Sequence, residues 1–145
     1  MSKSNAWETA LLEHLFTNSD VANVGDATGL RGSSTAGSLY FSLHTATPDE
    51  AGDQTTNEIA YTSYARVAVA RSGAGWTVTG NAVAVNADVT FPAGTGGSGT
   101  ATHWGLGTSA SGAGALLYYG ALSLSIICGD GVTPKLAAGT VVTES

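Results

Sequence analysis

The sequence predicts a mainly β protein: a single antiparallel β-sandwich, jelly-roll-like, with one N-terminal α-helix. Three observations carry that expectation. Leu39, Phe41 and Leu43 alternate with Tyr40, Ser42 and His44, and Val67 and Val69 alternate with Arg66, Ala68 and Ala70. A period of two suits a strand with one buried face. Short apolar runs recur between glycine-rich breakers, as sandwiches and small barrels require. One segment alone, Asn5–Thr17, has a helical period.

In that helix Trp7, Leu11 and Leu15 form a stripe at i, i+4 and i+8, with Leu12 and Phe16 beside it. Ser4 or Asn5 can cap its start, Asn5 and Glu8 have the spacing of a capping box, and Asn18 can stop it. A helix this short is marginal alone, so its stripe must dock on its own sheet or on a neighbouring subunit. Ser19–Ser38 reads as a polar connector, with Arg31–Gly37 flexible. Residues 1–38 are then a helix and docking arm, and 39–145 the sandwich.

The strands expected after the connector are Leu39–Thr45, Tyr64–Arg71, Trp76–Thr79, Ala82–Phe91, Thr100–Gly107, Ala115–Leu122, Leu124–Cys128 and Thr140–Thr143. Gly80-Asn81 between two apolar runs is a hairpin signal. Thr47–Thr62 is a long, polar, acidic loop, and loops beyond about 12 residues are usually functional.

Composition narrows the function. The 145 residues fit one domain, long enough to bury a core without disulfides or metals. Charged residues are 11% of the chain, well under the roughly 25% of soluble domains, so part of the surface is expected to face other protein. A net charge of −6 and five scattered cations, Lys3, Arg31, Arg66, Arg71 and Lys135, argue against nucleic-acid binding. Cys128, the one cysteine, follows an apolar run and reads as a small buried hydrophobe. The N-terminus has no secretory apolar region, and Ala113–Cys128 is too interrupted to span a membrane. The expectation is synthesis in the cytosol without export by a signal sequence, and no membrane association.

Several constellations resemble chemistry. Gly105-x-Gly107-x-x-Ala110 imitates a dinucleotide fingerprint, but Ser111–Gly114 and another strand follow where the mechanism needs a helix N-terminus. Asp49, Glu50, Asp53 and Glu58 gather carboxylates without the order of an EF-hand. His44 and His103, on separate strands, could approach one another, yet no spacing demands zinc. There is no Gly-x-Ser-x-Gly elbow and no singled-out carboxylate pair. The residues therefore imply no catalytic site, no cofactor and no metal.

The motifs do match a family. Ser4–Glu8, Leu39–Ala46, Pro48–Gly52, Thr56–Glu58, Tyr61–Val69, Val89–Ala93, Thr102–Gly105, Leu116–Leu122 and Ala137–Gly139 follow in order. Together they resemble small tailed-bacteriophage virion structural proteins, often labelled tail-fibre or tail-fibre-like. The resemblance implies a non-enzymatic particle component that binds other virion proteins on tail or capsid. Low charge, small residues and the unpartnered N-terminal helix add the expectation of a homo-oligomer, with a trimer favoured, resident in the virion. Expected contacts are Trp7, Leu11 and Leu15 on the helix and Asp49, Glu50 and Asp53 in the acidic loop, with Arg66 and Arg71 as charge partners for that loop. The competing expectation is a receptor- or glycan-binding tip module using Tyr119 and the loops Gly94–Gly99 and Ser109–Gly114.

Overall fold

The computed structural model describes residues 2–25 and 29–145. It is mainly β, 39% strand and 9% helix, and its paired strands are antiparallel. The fold class read from the sequence holds. The elements are α1 (Asn5–Thr17), β1 (Ser38–His44), β2 (Val67–Ala70), β3 (Trp76–Thr79), β4 (Ala82–Val85), β5 (Val89–Thr90), β6 (Ser98–Gly107), β7 (Leu116–Gly129), β8 (Lys135–Leu136) and β9 (Val141–Thr143). They fall into two compact units.

One unit comprises Met1–Ser38, Ala70–Asp88 and Ala137–Ser145. Its sheet runs β3-β4-β9, and α1 packs on β3 and β4. Ser4 caps the helix, accepting from the Trp7 amide, so the cap lies one residue before the Asn5–Glu8 box. Asn18 ends it in the left-handed conformation, as expected. The fully covered stripe is Glu8, Leu12 and Phe16, one residue along from Trp7, Leu11 and Leu15, which are half-buried on its flank. Phe16 meets Trp76 edge-on at 4.7 Å between ring centroids. The hairpin joining β3 and β4 turns at Gly80-Asn81. Gly80 has φ +60°, the positive value a II′ turn needs at its first central residue.

The connector is tied by short-range bonds where the sequence suggested flexibility. Asp20 accepts from Arg31 at 2.7 Å and from the Gly32 amide at 2.8 Å, and Asn18 bonds both backbone groups of Ser33. Residues 26–28 of the expected connector lie outside the described residues.

The other unit comprises Leu39–Val69 and Val89–Leu136. Its main sheet runs β2-β1-β6-β7, with β5 and β8 as a separate pair. Phe41, Leu43, Ala101, Trp104 and Leu106 are its core, with Phe41 and Trp104 5.9 Å apart. Gly120 lies opposite Trp104, where a Cβ would meet the indole nitrogen at 2.9 Å.

Four expected strands differ. Ala82–Phe91 divides into β4 and β5, because Asn86 turns aside to bond Gly73, Ala74 and Thr77. Tyr64–Arg71 shortens to β2, because Tyr64 and Arg66 serve a side-chain network instead. Ala115–Leu122 and Leu124–Cys128 are one strand, β7, with an irregularity where Ala121 and Ile126 pair with His103 and Ala101.

Candidate functional site

The acidic loop is the most specifically built surface feature, and it starts from β1. The period-two reading gives β1 one buried face, yet Ser42 and His44 are as buried as Leu43. The second face is closed by the loop itself. His44 Nδ1 donates to the Thr56 carbonyl at 2.8 Å, which leaves Nε2 to accept from the Ser42 hydroxyl at 2.8 Å. Burial holds His44 below the usual histidine range, which keeps the ring neutral and suited to that pattern. Ser42 and His44 fit against Gly105, where a Cβ would stand 2.6 Å from His44 Nε2 and 2.7 Å from Ser42 Oγ. The glycines of the imitation fingerprint are therefore packing positions inside β6.

Further along the loop, Gln54 is fully buried. Its Oε1 accepts from the Ser109 amide at 2.9 Å, and its backbone N–H donates to the Gly114 carbonyl at 3.2 Å. Glu58 then receives a two-pronged bond from Arg66, at 2.7 Å to each oxygen, and a third from the Tyr64 hydroxyl at 2.8 Å. Arg66 also donates to the carbonyls of Ser109 and Gly112 at 3.0 and 2.9 Å. Its side chain is 2% exposed, and the bond to Glu58 strengthens its hold on the proton. Burial pushes the Tyr64 phenol far up, so it stays a donor to Glu58. This network borders a depression of about 240 Å³ lined by Glu58, Tyr64, Ala65, Arg66 and Ala110–Gly112.

The loop's remaining acids face outward. Asp49 and Glu50 are exposed at its tip, and Asp49 accepts from Thr47 at 3.0 Å. Asp53 accepts from the Thr55 hydroxyl and amide at 2.6 and 2.7 Å, and these bonds hold its carboxyl below the usual range. Asp49, Asp53 and Glu58 thus bond Thr47, Thr55 and Arg66, and Glu50 is exposed, so the four carboxylates do not gather at one centre. His44 and His103 are register partners across β1 and β6, as the sequence allows. Both His44 nitrogens are occupied, and His103 Nδ1 lies 2.9 Å from the Thr102 hydroxyl.

Arg66 therefore joins Glu58 of the acidic loop, whereas Arg71 serves a different element. It donates to the carbonyls of Leu15, His14 and Ala36 at 2.6, 2.8 and 3.0 Å, closing the C-terminal turn of α1. Trp7, Leu11 and Leu15 are together on α1. Tyr119 is exposed on β7, with Leu124 and Ile127 further along the same strand. Sequence reasoning missed Ser42, Gln54, Glu58 as a hub, and the exposure of Leu124 and Ile127. The one available signal was an uncharged run from Val89 to Gly129.

No curated protein matches this chain. A family model, that of podophage GP4 fiber I protein gp80, matches residues 2–144. With nearly every residue matched, in agreement with the motif resemblance, the chain belongs to the podophage GP4 fiber I protein gp80 family, a family of phage fibre proteins.

Proposed function

We propose that this protein is a non-enzymatic structural subunit that binds other virion proteins, on the tail or on the capsid, through surface complementarity. The observation that carries the reading is where its reactive side chains are used. His44 and Ser42 bond each other and the loop backbone, and Glu58, Arg66 and Tyr64 bond one another. A nucleophile–base pair sealed at 0% exposure cannot reach a substrate. The chemistry goes into shaping a rigid loop, and a rigid loop with exposed Asp49 and Glu50 is suited to recognition. Asp53 at its flank and the half-buried Trp7, Leu11 and Leu15 complete the proposed contacts, while Arg66 anchors Glu58 of the loop and Arg71 ties the end of the helix. The arrangement we favour is a homo-oligomer, a trimer or another symmetric ring, within the particle.

A second reading, a receptor- or glycan-binding tip, is favoured by exposed Tyr119 and by the depression rimmed with Ala110–Gly112. Imaging the purified virion by cryo-EM tests the first. Density for this chain repeated over the shell or ordered along the tail supports assembly, and its absence from the particle overturns it. Binding of the isolated protein on a glycan array, abolished by Tyr119→Ala, would favour the tip.

A further inference from the structure

β7 is the outer strand of its sheet: β6 pairs with one side, and no strand among the described residues pairs with the other. It is 14 residues long, against about 5–6 for a typical strand. Soluble proteins usually guard such an edge with a short strand, Lys, Pro or an inward charge. From Leu116 to Gly129 there is no Asp, Glu, Lys, Arg or Pro. The devices present are two irregularities, a small one between Leu116 and Tyr118 and a larger one between Ala121 and Ile126. The larger one is the exposed one. A guarding bulge gains from a polar tip, but this one presents Leu124 at 81% exposure, with Ile127 at 74% two pairing steps on.

We propose that β7 is the contact between copies of this chain: its outer edge and its exposed side chains Tyr119, Leu124 and Ile127 pack against a second copy. Charge selects that occupant. Each copy carries −6, so two copies repel wherever their acids meet. No Asp, Glu, Lys or Arg lies between Asp88 and Asp130, the stretch that supplies both β6 and β7. Copies can therefore meet there without opposing charges, whereas a basic partner finds no counter-charge to hold it. A strand edge also offers alternating donors and acceptors, so the edge of one copy can take a neighbouring copy as an added strand.

This rests on the assembly reading above, and the test separates the two. Sedimentation of the purified chain over a micromolar concentration series is compared with that of an L124K/I127K double variant. Both positions are exposed, so the variant should keep the wild-type circular dichroism and melting temperature. The expected result is a wild-type oligomer and, for the variant, association weakened about tenfold or more, the equivalent of ~1.4 kcal/mol. As a second measurement, the thiol of an S123C variant should be protected from alkylation at high protein concentration and exposed on dilution. A monomeric wild type, an oligomer that survives L124K/I127K, or concentration-independent alkylation overturns the proposal. If in any of those cases the chain still incorporates into virions, the assembly reading stands without β7. If it does not, both fail.

Discussion

Single atoms decide how the acidic loop is held. Gly105→Ala places a methyl against two buried polar side chains that are already bonded to each other. Neither Ser42 nor His44 can turn away without leaving a buried polar atom unpaired. The substitution should cost about 1–3 kcal/mol, read as a lowered melting temperature with unchanged strand content by circular dichroism. His44 adds a pH dependence of defined sign. Its folded-state pKa is lowered by burial, so between that value and its unfolded value near 6.5 the unfolded chain binds a proton that the folded chain refuses. The stability contributed by neutral His44 is complete above about pH 6.5 and is lost as pH falls through 6.5 toward the folded value. Urea midpoints measured at pH 7.5 and 5.5 should therefore fall with pH, and an NMR titration should place the His44 ring below 6.5. A ring titrating at or above 6.5 contradicts the neutral Ser42–His44–Thr56 chain.

At the scale of elements, Arg71 joins a strand end to a helix end. Its guanidinium bonds the carbonyls of His14 and Leu15, groups that a helix C-terminus leaves unpaired. Arg71→Met keeps much of the stem and removes the donors. It should destabilise by roughly 1–3 kcal/mol, with faster amide exchange in the last turn of α1. Elements were legible where local rules governed them. The helix followed its caps, β3 and β4 their alternation and the Gly80-Asn81 turn, and β1 its apolar period. β8 was not legible, since the two residues Lys135 and Leu136 make no period. Nor was β7 as one strand: Ser123 and Ser125 suggest a break, yet the pairing with β6 resumes at Ile126. The site was legible as an acidic loop and as a pair of arginines. Which acid met which arginine was not, because Arg66 is held against Glu58 by the carbonyls of Ser109 and Gly112, residues distant in sequence. Ser42 and His44 looked solvent-facing for the same reason: the loop that covers them lies further along the chain.

For the whole molecule the charge balance makes assembly sensitive to salt in a direction that identifies the contact. The chain has eleven acidic and five basic residues. Four of the five cations are already engaged internally: Arg66 with Glu58, Arg31 with Asp20 and Lys3 with Glu144 at 3.0 Å, and Arg71 with backbone carbonyls. If copies meet through Asp49, Glu50 and Asp53 against cations, added salt screens an attraction and weakens the oligomer. If they meet through the uncharged β7 strip, salt screens only the repulsion between two −6 bodies and strengthens it. Going from about 10 mM to about 1 M salt shortens the screening length from about 30 Å to about 3 Å, enough to separate the two cases. We expect the sedimentation-derived association constant to rise or hold steady across that range. A fall by an order of magnitude would move the contact from β7 to the acidic loop, and D49N/E50Q should then remove the salt response.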